Sequence, residues 1–243
     1  MSPTQIETRR LTGDEKRTYV RSMFTSIAPR YDLLNHLLSF NIDRSWRKTA
    51  IDSLRWQDSP AGHYLDLCAG TLDLAAELSR RDGFGGHVIG ADFVIPMLRL
   101  GRSKARVAAV GADALSLPFA DGRFDGCTVG FGVRNLTDLD GGFREIARVL
   151  KPGGRLVVLD FCTPTTWPLR PLYMLYFRYI LPWVGRTVSR HSTAYSYLPE
   201  SVVDFPAPVE LVERMEQTGF AGVGFRRLTG GISVIHWGNK IDN

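Results

Sequence analysis

The chain has 243 residues, 44% hydrophobic, 23% charged and 11% aromatic, the mix of a soluble globular protein with a full core, which excludes fibrous and disordered classes. Thirty Lys and Arg against 25 Asp and Glu leave a net charge of +5, which fits an anionic cofactor, a membrane surface or nucleic acid equally well and selects none of them. Cys68, Cys127 and Cys162 lie in separate apolar runs without a C-x-x-C pair or a His at ligand spacing, so a reduced cytosolic compartment is expected and no metal.

The amino-terminal residues carry charges where a signal peptide needs an apolar core. Val20, Met23, Phe24 and Ile27 recur at i, i+3, i+4 and i+7, which predicts a helix ending near Pro29, and a second helix covers Asp32 to Leu38. From His63 short apolar runs alternate with helical stretches: HYLDLC, then Leu72 to Arg81; HVIGAD, then Ile95 to Arg106; FDGCTVGFG, then Asp140 to Leu150; and GGRLVVLDF. Such alternation predicts an α/β fold whose parallel sheet is covered on both faces. In the last of these helices Phe143, Ile146, Ala147 and Leu150 form one stripe, and Lys151-Pro152-Gly153-Gly154 ends it.

Thr163 to Phe205 reads as an irregular insertion rich in Pro and aromatics. Within it Leu169, Leu172, Tyr173, Tyr176, Phe177, Ile180 and Val184 fall at helical spacing, while Met174, Leu175 and Leu181 fill other faces. A helix apolar nearly all round is buried or lipid-facing. No run reaches the ~18 apolar residues of a spanning helix, since Pro171 to Gly185 is broken by Arg178 and Pro182. Trp167 and Trp183, flanked by Arg170, Arg178 and Arg186, suit a peripheral membrane contact through 167–186, with a lid or a homodimer interface as the alternative. A helix over Val209 to Thr218 follows, and AGVGFRRL and GISVIHWG form an antiparallel pair across Thr229-Gly230-Gly231. The expected division is an amino-terminal helical substrate cap (1–62), a cofactor-binding α/β core (63–162), a hydrophobic insertion (163–206) and a helix with β-hairpin completing the core domain (207–243).

Ligands of open α/β sheets bind at the carboxyl edge, and the first strand reaches that edge at Asp66, followed by Cys68-Ala69-Gly70-Thr71. One glycine is too few for a pyrophosphate-binding G-x-G-x-x-G loop. The second strand ends in Asp92, placed to accept both hydroxyls of a ribose, and Asp113-Ala114 supplies a side chain and a backbone N–H for an adenine edge. Three acidic strand ends favour S-adenosylmethionine, with its cationic sulfonium and amino group, over a dinucleotide whose phosphates they would repel.

LDLCAGTLDLA, GADFVIPMLRLGRSKA, ADALSLPFADGRFD, GFGVRN and RVLKPGGRLVVLDF resemble, in order, the motifs of the ubiquinone and menaquinone biosynthesis C-methyltransferases. Tyr31 to Ser39 with Trp46 resembles that family's first signature and Arg148 to Cys162 its second, and the resemblance runs from about Lys16 to Lys240. It implies a class I S-adenosylmethionine-dependent methyltransferase fold, Rossmann-like, with a mostly parallel seven-stranded sheet whose last strand is antiparallel, plus amino-terminal helices and a helical insertion. Four departures stand out: Leu34 for Met, Asp43 for His, Leu72 for the usual Gly, and Asp160 with Cys162 for Glu and Ser. Leu72 bears on cofactor fit, and a helix starting there would turn its side chain away.

Carried over residue by residue, the resemblance implies that Thr71, Asp92, Asp113 and Ala114 line the cofactor site, to which the reading of the first strand's edge adds Asp66 and Gly70. Gly130, where the family often has Ser, would contribute backbone only. It implies Tyr31, Arg134 and Asn135 beside a prenylated quinol, most simply demethylmenaquinol, with the benzoquinol precursor of ubiquinone as a second substrate. A guanidinium stays protonated, so Arg134 serves as an oxyanion stabiliser or water positioner rather than a direct base. His36, His191, Asp32 and Asp160 are the other titratable candidates. Alternatives are a methyltransferase for another hydrophobic small molecule and an inactive cofactor-binding scaffold. No nucleic-acid partner is expected, because Gly-Phe-Gly-Val-Arg-Asn stands where base-flipping amine methylases carry Asn-Pro-Pro-Tyr or Asp-Pro-Pro-Tyr.

Overall fold

A computed structural model describes residues 12–104, 107–164, 166–176, 179 and 192–242. His191 and most of the stretch from Phe177 to Arg186 lie outside the described residues. Three helices come first: α1 (Gly13–Ile27), α2 (Tyr31–Leu38) and α3 (Ile42–Ser53). There follow β1 (His63–Leu67), α4 (Asp73–Ser79), β2 (His87–Asp92), α5 (Ile95–Gly101), β3 (Ala108–Gly111) and β4 (Phe124–Gly130). Then come α6 (Leu139–Val149), β5 (Leu150–Phe161), α7 (Leu169–Leu175), α8 (Ser192–Val203), α9 (Pro208–Gln217), β6 (Phe220–Leu228) and β7 (Ser233–Lys240).

The seven strands form one sheet in the order β3-β2-β1-β4-β5-β7-β6. β1 to β5 run parallel and β7 is antiparallel to both its neighbours, as expected for the closing hairpin. Alternate strand residues serve the two faces. Leu65, Leu67, Leu156 and Val158 pack with Phe143 and Ile146 of α6 and with Leu211 and Met215 of α9. Tyr64, Val157 and Leu159 pack on the other face with α4 and with Trp46, Ala50, Ile51 and Leu54 on or just after α3. The third amino-terminal helix, which periodicity did not single out, is thus a layer of the α/β core.

Above the carboxyl edge of the sheet α1, α7 and α8 form a roof, in which Val20, Met23 and Ile27 meet Tyr173, Tyr197 and Val202. α8 replaces the last part of the irregular segment expected between Thr163 and Phe205, and it tolerates Pro199 inside it. α6 lies one residue earlier than expected, capped by the Asp138 carboxylate, which accepts from the Gly141 N–H at 2.9 Å, and Leu150, expected in its stripe, instead opens β5, which runs through Lys151-Pro152-Gly153-Gly154.

Candidate active site

β1 has β2 on one side and β4 on the other, so the turns leaving β1 and β4 diverge and open a crevice at the carboxyl edge. Those turns are strained into the left-handed region at Cys68, Gly70, Leu72 and Phe131, with φ of 54, 50, 64 and 57°. Three adjoining cavities occupy the crevice, and Tyr31 and Phe131 line all three.

The first cavity is lined by Gly70, Asp92, Asp113, Ala114, Gly130 and Asn135, among others. Asp92 is 7% exposed; its carboxylate accepts from the Gly70 N–H at 2.8 Å and the Val94 N–H at 2.7 Å. Burial raises its pKa and the two backbone bonds oppose that rise. Each oxygen keeps a lone pair for a further donor. Asp113 accepts from the Leu115 N–H at 3.0 Å and pairs through its other oxygen with Arg17 of α1 at 2.5 Å. Gly130 permits close packing here, since a Cβ would lie 2.6 Å from Leu74.

The second cavity is small and polar, lined by Asp66, Gly70, Thr71, Asp73, Arg47 and Gly130 as well as the two shared aromatics. Asp66 is buried, accepting from Thr128 Oγ1 at 3.1 Å and from the Ala75 N–H at 3.0 Å, so it also caps the first turn of α4. Desolvation pushes its carboxyl up to about 7. Thr71 donates to Asp32 at 2.6 Å and accepts from Lys104 Nζ at 2.8 Å. Lys104 also reaches Asp32 and Asp73, both at 2.6 Å, fastening α2 to the turn after β1. Leu72 lines none of these cavities and is wholly buried among core residues, where it fills the space left by Gly90 and Gly101.

The third cavity, of about 300 Å³, is apolar and lies under the roof, walled by Met23, Phe24, Trp46, Phe161, Leu172 and Tyr173 among others. A volume of this size suits a small-molecule ring system. Arg134 lines it, with its side chain only 7% exposed and bonded to Asp160 at 2.7 Å and to the Phe131 carbonyl at 2.5 Å. Burial works against its charge, but fully buried Asp160 and then Tyr31 outweigh that and raise its pKa. Its Nε has no partner among the described residues. Arg134 is therefore a buried, paired arginine at the carboxyl end of β4. Burial raises the pKa of Tyr31, against its hydrogen bond with Asn35 and the fields of Arg134 and Arg47, so the phenol stays a donor near neutral pH.

The crevice brings together Tyr31, Asp66, Gly70, Thr71, Asp92, Asp113, Ala114, Gly130, Arg134 and Asn135. Asn135 lines the first cavity and not the apolar one, where Tyr197 stands instead and donates to the Asn135 Oδ1 at 3.0 Å. His36 is tied to Asp43 at 2.9 Å and lines none of the three cavities, while Asp160 serves Arg134. Sequence reasoning missed Arg47, Lys104 and Arg17. For Arg47 a signal existed in the Asp43–Arg47 spacing of i, i+4 on a helix beside Trp46.

The donor set fits a cationic nucleoside. The first cavity offers two carboxylates among apolar side chains, glycines and alanines, and the one cationic side chain lining it among the described residues, Arg17, is committed to Asp113. A phosphate would find repulsion there and no glycine-rich cradle.

Among solved structures, a S-adenosylmethionine-dependent methyltransferase from Thermotoga maritima is similar to the chain with a TM-score of 0.64 and 18% identity, over 90% of this chain and 99% of that one. A Haemonchus contortus phosphoethanolamine N-methyltransferase complexed with S-adenosylhomocysteine gives a TM-score of 0.56 over 79% of this chain and 52% of that one, at 16% identity. The fold is that of the class I S-adenosylmethionine-dependent methyltransferases. Residues 12–240 match the model of the ubiE/COQ5 methyltransferase family, and the chain belongs to that family. A demethylmenaquinone methyltransferase from Thermus thermophilus is 48% identical over 223 residues, covering 90% of this chain and 100% of the relative. A ubiquinone/menaquinone biosynthesis C-methyltransferase UbiE from Geobacter sulfurreducens is 42% identical over 243 residues, covering 97% and 93%. The enzyme is a S-adenosylmethionine-dependent methyltransferase.

Proposed function

We propose that the enzyme methylates a ring carbon of a prenylated quinol, with demethylmenaquinol as the principal acceptor and menaquinol as product. The observation that carries this is the apolar cavity holding a buried guanidinium, separated from a carboxylate-lined cleft by the rings of Phe24, Tyr31 and Phe131. When bound, S-adenosylmethionine supplies an electrophilic methyl group. The chain's own task is to orient the ring and help it lose a hydroxyl proton, because the resulting phenolate makes the ring carbon nucleophilic; once that carbon has bonded the methyl group, its own C–H proton leaves to solvent, the ring regains aromaticity and the hydroxyl is reprotonated.

In this reading Asp92 and Asp113 hold the nucleoside and Gly70, Thr71 and Asp66 line the amino-acid end. Arg134, kept charged by Asp160, stabilises the developing oxyanion through the guanidinium that lines the apolar cavity. Tyr31 donates from the boundary between the two cavities, and Asn135 orients Tyr197 from the cofactor side. Aromatic walls exclude water, which strengthens these interactions. The position of Leu72 in the core supports a working cofactor site over an inactive scaffold.

The cavity's rim supports contact with a lipid surface. Phe40 and Leu172 line the cavity and yet are 76% and 60% exposed, and Trp167, just before α7, is 85% exposed. Among the described residues no helix is long and apolar enough to cross a membrane. A prenyl tail left in the bilayer while the ring enters between these side chains fits that arrangement.

The test supplies labelled S-adenosylmethionine with reduced demethylmenaquinone, with the reduced benzoquinone precursor of ubiquinone, and with the oxidised forms of both. Label is expected in the naphthoquinol at the highest rate and in neither oxidised quinone. Equal labelling of oxidised and reduced rings would remove the role given to the phenolate.

A further inference from the structure

We propose that Arg47 anchors the carboxylate of the cofactor's amino-acid end. The polar cavity shares Cys68, Gly70 and Gly130 with the cleft that holds Asp92 and Asp113, so a nucleoside seated there projects its amino-acid tail towards Arg47. Among the described residues three carboxyl or guanidinium side chains line that polar cavity: Asp66, Asp73 and Arg47. The tail carries an ammonium and a carboxylate. The two aspartates suit the ammonium and repel the carboxylate, leaving Arg47 as its charge partner.

Arg47 is built for this. Its side chain is 9% exposed, paired with Asp43 on its own helix and with Asp73 at 3.2 Å, and its guanidinium carbon lies 5.8 Å from the centre of the Phe131 ring. These contacts fix the plane of the guanidinium, and a group with five N–H donors keeps donors for a third oxygen pair. Desolvation opposes its charge, and Asp73 and Asp43 more than restore it. Because Arg47 lines the apolar cavity as well, the anchor for one ligand forms part of the wall for the other. α3 thereby joins the cofactor site, where the amino-terminal helices were expected to serve only as a substrate cap.

The inference rests on the nucleoside lying at Asp92 and Asp113. Calorimetry on the full chain separates the two, with three probes: S-adenosylhomocysteine, its decarboxylated form S-adenosyl-3-thiopropylamine, and 5′-methylthioadenosine, which lacks the amino-acid tail. Arg47→Met is expected to weaken S-adenosylhomocysteine about 10- to 100-fold, the span of a charge-assisted hydrogen bond, and to leave methylthioadenosine within about twofold. Arg47→Lys should fall between. Wild-type protein should bind the decarboxylated probe more weakly than S-adenosylhomocysteine, and Arg47→Met should abolish that preference. Equal weakening of all three probes, or none, would overturn the assignment. So would a wild-type protein indifferent to the carboxylate, a result that needs no variant to fold. If Asp92→Ala leaves methylthioadenosine binding unchanged, the nucleoside placement fails instead.

Discussion

At the scale of single residues the site is a set of charges held out of water by specific partners. Arg134 owes its place to Asp160, which is fully buried and has the Arg134 guanidinium and the Phe161 N–H as donors. Replacing Arg134 with Ala is expected to lower kcat about 10²- to 10³-fold, the usual loss for one oxyanion donor, with the cofactor's Kd nearly unchanged; steady-state kinetics with calorimetry checks both. Asp66 offers a pH test. Its carboxyl is raised from 3.8 to about 7 in the folded protein, so the native state binds more protons than the unfolded chain between those values. Stability from this group is therefore fully present below about 3.8 and is lost as pH rises through 7. The melting temperature of ligand-free Asp66→Asn should gain a few degrees on wild type between pH 4.5 and 8, and thermal melts across that range with a constant gap would contradict the assignment.

At the scale of elements, the turn after β1 and helix α2 act as one unit through Lys104, whose ammonium meets Asp32, Thr71 and Asp73. The lysine is about a quarter exposed, so its loss should cost only about 1 kcal/mol. Lys104→Met should raise amide exchange in α2 and around Thr71 while β1, β4 and β5 keep their protection; uniform loss across the molecule would deny the fastening role. The alternating core, the hairpin and α6 were legible because their periodicities are clean and their caps are local. α3 was not, since IDRSWRKTAIDS is mostly polar and its stripe of Trp46, Ala50 and Ile51 emerges only when the sheet face it covers is known. α8 was hidden by Pro199 and β3 by its four-residue length. Asp66 and Asp92 were readable because the ends of the strands that carry them have fixed positions, and Asp113 from its acidic Gly-Ala-Asp-Ala stretch although β3 itself was not drawn, whereas Arg17, Arg47 and Lys104 reach the site from helices and turns distant in sequence from the strand ends they meet.

At the scale of the whole molecule, a charged crevice and an apolar chamber share one aromatic partition, and the chamber's rim is greasy. Exposed Phe40 and Leu172 at that rim should contribute to binding lipid vesicles. A Phe40→Glu, Leu172→Glu variant is expected to lose most of its co-sedimentation with vesicles containing anionic lipid and to retain its affinity for S-adenosylhomocysteine. Unchanged co-sedimentation would assign the membrane contact elsewhere or remove it.

The most direct measurement of the central claim locates the transferred methyl group. With S-adenosylmethionine carrying a deuterated methyl group and reduced demethylmenaquinone as acceptor, fragmentation of the product by mass spectrometry should place the label on the quinol ring carbon. A label on a ring oxygen, or no transfer while the cofactor binds normally, would contradict ring C-methylation by this site.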